Sequence, residues 1–182
     1  MNESAITSTL AKLLDYPTEE FKNHLSHCTL ALHQVLHGEP ATSSESREKY
    51  GRFERAVTAL SVEEVQELYT RTFDISPVAS LEVGWHLYGE AYERGAFLVK
   101  MRELLRSCGI QESTELPDHL SYLLLALSHL ERDQVGKFIQ VCLAPAVEKM
   151  LAGFEDETNP YRYLLEAIQV VLHHHQLSMM GV

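Results

Sequence analysis

The 182-residue chain carries 26 acidic and 15 basic side chains, a formal net charge of −11, and 45% of it is hydrophobic. A field of that sign repels phosphate, which argues against nucleic-acid and anionic-lipid partners, and the apolar content argues against disorder. The same charge favours a basic peptide as partner, and the length allows a core without disulfide or metal staples.

Taken in order, nearly every stretch repeats its apolar residues with a helical period, and no stretch alternates as a strand would. Ile6, Leu10, Leu13 and Leu14 form one stripe, ended by Tyr16-Pro17. Phe21, Leu25, Cys28, Leu32 and Leu36 form a second, ended by Gly38 and Pro40. Glu39 to Glu48, rich in Ser and Glu, reads as a loop, followed by a helix over about Arg47 to Ala59. Ser61-Val62-Glu63-Glu64 reads as a capping box that opens a helix bearing Val65, Leu68 and Tyr69. Phe73 to Ser80, with Pro77, reads as irregular. Phe97, Leu98, Met101, Leu104, Leu105 and Cys108 make a stripe stopped by Gly109 as a C′ glycine. Pro117 and Asp118 suit the first turn of the next helix, one for its missing N–H, the other for the dipole. Two further stripes follow, Val135-Phe138-Ile139-Cys142 and Tyr161-Leu164-Leu165-Ile168-Val171-Leu172, with a kink expected at Pro145.

The sum is an all-α chain of about seven to nine helices, read as a single compact multi-helix domain over 1–182. Cys28, Cys108 and Cys142 form no C-x-x-C pair, so reduced structural thiols are expected. The N-terminus lacks the features of a secretory signal, and the longest apolar run, Tyr122 to Leu127, is six residues. A cytoplasmic protein without membrane insertion is expected.

No nucleophile elbow, P-loop, G-x-G-x-x-G or H-E-x-x-H motif is present, so nothing points to an enzyme or a bound cofactor. His24, His27, Cys28, His33 and His37 suggest a metal cluster, and His173-His174-His175 another. On a helix the His24/His27 and His33/His37 pairs flank opposite sides of the apolar stripe, with His27 and His33 roughly 120° apart and about 9 Å along the axis. Such pairs do not converge on one ion, and the His173 triplet reads as a frayed polar helix end. No metal site is therefore expected; a helical metal-handling protein using the His-rich second helix is the alternative.

The segment from Tyr69 to Leu120 reads Y-T-R-T-F-D, then H-L-Y-G-E-A-Y-E-R-G, then E-L-P-D-H-L. This order and spacing resemble the NarJ/TorD family of molybdoenzyme-specific chaperones, in its nitrate reductase delta-subunit branch. The residues that carry the resemblance are Tyr69, Phe73, Asp74, His86, Tyr88, Gly89, Glu90, Arg94, Gly95 and Glu115 to Leu120. Leu13-Leu14-Asp15-Tyr16-Pro17 is a weaker echo of the same family. The chain departs from the family pattern at Leu124-Leu125-Ala126, where a Leu-Glu-Phe is common.

The resemblance implies a non-enzymatic assembly chaperone. Its partner would be the apo catalytic subunit of a molybdenum oxidoreductase, held by its N-terminal segment until molybdopterin and iron–sulfur cofactors enter. It implies a client-peptide groove in which Tyr69, Phe73, Tyr88 and Leu120 are apolar contacts and Asp74, Glu90, Glu115 and Asp118 supply charge. His86, Arg94 and His119 would complete that groove, with Gly89, Gly95 and Pro117 as fold-defining positions. Glu90 and Arg94 stand four apart, the spacing of an intrahelical ion pair. Gly89 and Gly95 would permit a turn or a close helix approach.

Overall fold

The apolar stripes become helices stacked side by side, with no β-strand among the described residues. The computed structural model describes residues 3–35, 42–75 and 79–180, and side chains within 5–32, 44–75 and 79–177. In chain order the helices are α1 (Glu3–Lys12), α2 (Phe21–Val35), α3 (Thr42–Thr58), α4 (Val62–Tyr69) and α5 (Val83–Tyr88). They continue with α6 (Tyr92–Ser107), α7 (Leu120–Ala126), α8 (Arg132–Phe138), α9 (Ala144–Ala152) and α10 (Pro160–Met180). A π-helical segment, Ile139–Leu143, joins α8 to α9 as one rod, so the described residues form nine helices.

The long α10 lies along α3, while α1 packs between α2 and α7 and also meets α10. At the seam of α3 and α10, Lys49 pairs with Glu166 at 2.9 Å and Arg162 with the same carboxylate at 3.2 Å. Inside it, Phe53 and Tyr161 hold their ring centroids 5.4 Å apart. Nearly all buried apolar side chains belong to one continuous core, with a satellite of Leu105, Tyr122 and Ala126.

Ser61 caps α4 reciprocally with Glu64, as its sequence predicts: Glu64 N–H donates to Ser61 Oγ at 3.2 Å, and Ser61 N–H donates to Glu64 Oε2 at 2.7 Å. Gly109 follows α6 with φ +69°, the left-handed conformation expected of a C′ glycine.

Four local expectations need correction. The Ser/Glu-rich loop is helical from Thr42 onward, because the core-facing stripe of α3 begins with a polar residue, Ser46, ahead of Tyr50, Phe53 and Val57. Residues 39–41 lie outside the described residues. Of the stretch Phe73 to Ser80 expected to be irregular, Phe73 and Asp74 instead end a π-helical extension of α4, closed by Ile75 N–H donating to Thr70 O at 3.1 Å; residues 76–78 lie outside the described residues, and Ala79 and Ser80 belong to no helix. At Pro145, where the kink is expected, the helix has no N–H to offer the turn before it and makes a register slip in which Ala144 N–H reaches back to Ile139 O. Pro117 and Asp118 precede α7 rather than open it; His119 is its N-cap. Finally, α10 runs through the histidine triplet, because His175 lies on its core face and is buried.

Candidate functional site

The third motif folds back, through Asp118, onto the start of α5, the helix in which the second motif begins. That helix is short, and its first donors have no partner within it. Asp118, 34 residues downstream, supplies both acceptors: Val83 N–H donates to its carbonyl at 3.0 Å and Gly84 N–H to its Oδ2 at 2.8 Å. Leu120 N–H donates to Leu81 O at 2.9 Å, and Glu82 and His119 form an isolated antiparallel bridge beside it. A Cβ on Gly84 would stand 2.7 Å from Asp118 Oδ2 and 2.9 Å from Phe97 Cδ1, so the acid can reach this helix only over a glycine.

Asp118 is thereby a tertiary helix cap and is fully buried, not an exposed charge facing a ligand. Burial pushes its carboxyl above the usual range, opposed by the Gly84 N–H and the positive charge of Arg94. Pro117 and Leu120 are buried with it, as is His119.

Tyr69 and Phe73 are also core residues. Their centroids lie 5.1 Å apart, and each packs edge-on to Tyr161, at 5.8 and 4.9 Å. Tyr69 Oη donates to Leu14 O at 3.1 Å, fixing the end of α1 against α4. The Tyr…Phe-Asp motif therefore builds the floor of a site rather than its contact surface, and only Asp74 reaches solvent.

Around the end of α5 the motif residues divide again. His86 Nε2–H donates to Ser80 O at 2.7 Å, its pKa lowered by burial, and Lys149 Nζ donates to His86 O at 2.7 Å. Gly89 turns the chain with φ +58°, a conformation glycine adopts without strain. Glu90 lies in that turn, before α6 begins at Tyr92, so it and Arg94 form no intrahelical pair. The Arg94 guanidinium instead stands 5.4 Å from the Trp85 ring centre. Gly95 sits inside α6 with nothing within 4 Å of a built Cβ, so it serves neither a turn nor an approach within the fold. Tyr88 and Glu90 are exposed.

The same folding brings the charges of four carboxylates to bear on buried side chains. The charges of Glu115, Glu82, Asp15 and Asp74 all act on buried His119, and those of Glu115, Asp74 and Asp15 act on buried Tyr69. Three apolar side chains belong to the same segments: Tyr16 (49% exposed), Ile75 (73%) and Leu116 (42%). Tyr16 rests edge-on against Tyr69, centroids 5.5 Å apart. Motif reading alone locates Asp74, Glu115 and Leu116 but misses Asp15, Tyr16, Ile75 and Glu82. The Leu13-to-Pro17 echo is the one sequence signal that leads to Asp15 and Tyr16.

His119 Nδ1 lies 2.8 Å from Ser121 Oγ, and burial holds the imidazole pKa below its ordinary value despite the surrounding carboxylates. A folded pKa depressed below about 6.5 gives stability that is present above that pH and lost as pH falls through the folded value. Thermal unfolding is expected to shift down between about pH 7 and pH 5, the range in which an ordinary imidazole titrates. His119→Asn, which keeps an acceptor for the α7 cap, should flatten that slope. An unaltered slope in the variant would remove His119 from the account.

Among the described residues no three His, Cys, Asp or Glu side chains are placed to hold a metal ion. His24 faces Glu20 at 3.7 Å and His27 is exposed; the side chains of His33 and His37 lie outside the described residues. No described helix is long and apolar enough to cross a membrane.

Two curated relatives are similar to the chain, each named nitrate reductase molybdenum cofactor assembly chaperone NarJ, from Escherichia coli K12 and Escherichia coli O157:H7. Each is 24% identical over 160 residues, covering 87% of this chain, which spans 66% of the relatives' own length. Residues 39–181 match the family described as nitrate reductase delta subunit, a range that holds all three motifs and the α5 cap that Asp118 supplies. The chain belongs to the nitrate reductase delta subunit family.

Proposed function

We propose that this protein is a cytoplasmic assembly chaperone for the catalytic subunit of a molybdenum oxidoreductase, and that it holds a basic, amphipathic N-terminal segment of the apo-subunit. The observation that carries the reading is that the charges of Asp15, Asp74, Glu82 and Glu115 all act on buried His119, while Tyr16, Ile75 and Leu116, each next in the chain to one of these acids, are exposed. Carboxylates interleaved with apolar side chains suit a segment with cationic and apolar faces, laid down as a helix in a groove. The relatives' name as cofactor assembly chaperones and the family membership support the same role.

The mechanism requires no bond to be made or broken. A chaperone that binds the immature subunit better than the mature one keeps it open by mass action while the molybdenum cofactor and iron–sulfur cluster are inserted, and delays its docking at the membrane. Release follows when the folded client buries or reorients the segment. Within this reading Tyr69, Phe73, Asp118, His119 and Leu120 act as scaffold under the docking surface, and Tyr88, Glu90, His86 and Arg94 lie at its α5 margin.

The apolar half of the surface is tested by Ile75→Ser combined with Leu116→Ser. Both residues are exposed, so the fold should lose no more than about 0.5 kcal/mol per site. Affinity for the client's N-terminal peptide, measured by titration calorimetry, should fall roughly tenfold or more. Wild-type affinity in a folded double variant would place recognition elsewhere on the molecule.

A further inference from the structure

Between α1 and α2 the chain turns Asp15 and Tyr16 outward over buried Leu13, Leu14 and Pro17. Neither outward residue lies in a helix, so their pose depends on contacts from elsewhere in the fold. α4 supplies two such contacts. Tyr69 Oη–H donates to Leu14 O at 3.1 Å, and Gln66 Nε2–H donates to Pro17 O at 2.8 Å. The carbonyls so held come immediately before Asp15 and immediately after Tyr16, and Gln66 and Tyr69 stand three apart on one face of α4. The Tyr16 ring completes the clasp, edge-on to Tyr69 with centroids 5.5 Å apart. Pro17 narrows the choice further, since the residue before a proline is confined to extended backbone.

Gln66 belongs to none of the family motifs, yet its half-buried side chain reaches 49 residues back along the sequence to make this bond. An outward pair in an unsupported connection would lose conformational freedom on meeting a client, and that loss would be subtracted from affinity. A pair already held by α4 loses less. We infer that Gln66 is a positioning residue for client recognition, a role that rests on the client-binding reading above: by holding the Pro17 carbonyl it sets the pose in which Asp15 and Tyr16 meet the client. Lys12 Nζ, 3.6 Å from Asp15 Oδ2, forms a solvated pair that a client cation can replace.

The test pairs fluorine NMR with peptide titration on the full chain labelled with fluorotyrosine, the Tyr16 resonance being the one lost in Tyr16→Phe. Gln66→Met keeps the side-chain length without a donor, and Gln66→Asn keeps the donor but is one methylene too short to reach. In both, the Tyr16 resonance should move toward that of free fluorotyrosine while that of buried Tyr161 stays in place, with helical circular dichroism unchanged. The titrated probe is a synthetic amphipathic peptide of about five helical turns, arginine on one face and leucine on the other. Its affinity should fall roughly three- to tenfold in each variant, the scale of one hydrogen bond. An unmoved Tyr16 resonance in both variants would overturn the inference, because Gln66 would not hold the pose. A moved resonance with wild-type peptide affinity would remove the positioning role alone and leave the chaperone reading standing. A wild type that does not bind the peptide would overturn the basic-segment reading, and the positioning role with it.

Discussion

Phe73→Ala is expected to lower the unfolding free energy by about 3–5 kcal/mol, the cost of emptying a buried aromatic site. For a chain of this size that is a fall in Tm of roughly 6–20 °C. The ring it removes lies 4.9 Å from Tyr161 and 5.1 Å from Tyr69, so the loss is a cavity in the middle of the aromatic cluster. Asp74→Ala, one position further on and exposed, should stay within about 0.5 kcal/mol of wild type. Thermal unfolding followed by circular dichroism distinguishes the two. A near-native Tm for Phe73→Ala would mean that this ring is free to meet a ligand.

Gly84→Ala is expected to cost about 1–3 kcal/mol through overpacking, because neither the Asp118 carboxylate nor the Phe97 ring can move without losing its own contact. Asp118→Ala leaves the Gly84 N–H buried without an acceptor and should cost about 1–3 kcal/mol. The two changes break one contact, so the double variant should be less destabilised than the sum of the singles. Asp118→Asn keeps an oxygen for the Gly84 N–H and removes a buried charge, so it should sit much closer to wild type. Additive losses from Gly84→Ala and Asp118→Ala would show that the cap is not the shared cause.

Helix positions were legible wherever apolar residues hold the core face, as in α2, α6 and the first turns of α10, because a 3.6-residue period is then visible. They were hidden where a polar residue occupies the core face. Ser46 made the start of α3 look like loop, and His175 made the last turns of α10 look frayed. The two π-helical segments add a residue to a turn without any distinct composition, so periodicity does not reveal them.

The site was half legible for a related reason. Spacing in one chain cannot say which motif residues face inward. Tyr69, Phe73, Asp118, His119 and Leu120 look like recognition residues by chemistry, yet they are buried because they join α1, α4, α5 and α7. Gly84 escaped notice because its role depends on a carboxylate 34 residues away. The charges of Asp15, Glu82 and Glu115 act together on His119 only once Leu120 pairs with Leu81 and Tyr69 with Leu14.

The central claim, that a carboxylate-ringed surface holds a basic client segment, is tested most directly by calorimetry of the client's N-terminal peptide at two salt concentrations. The proteins compared are wild type and Asp74→Asn/Glu115→Gln. Going from about 0.1 M to about 1 M salt shortens the Debye length from roughly 10 to 3 Å. Wild-type affinity should fall with salt, and the double variant should bind roughly tenfold more weakly at low salt and respond less to it, with its helical circular dichroism unchanged. Equal affinities for the two proteins, independent of salt, would contradict the claim.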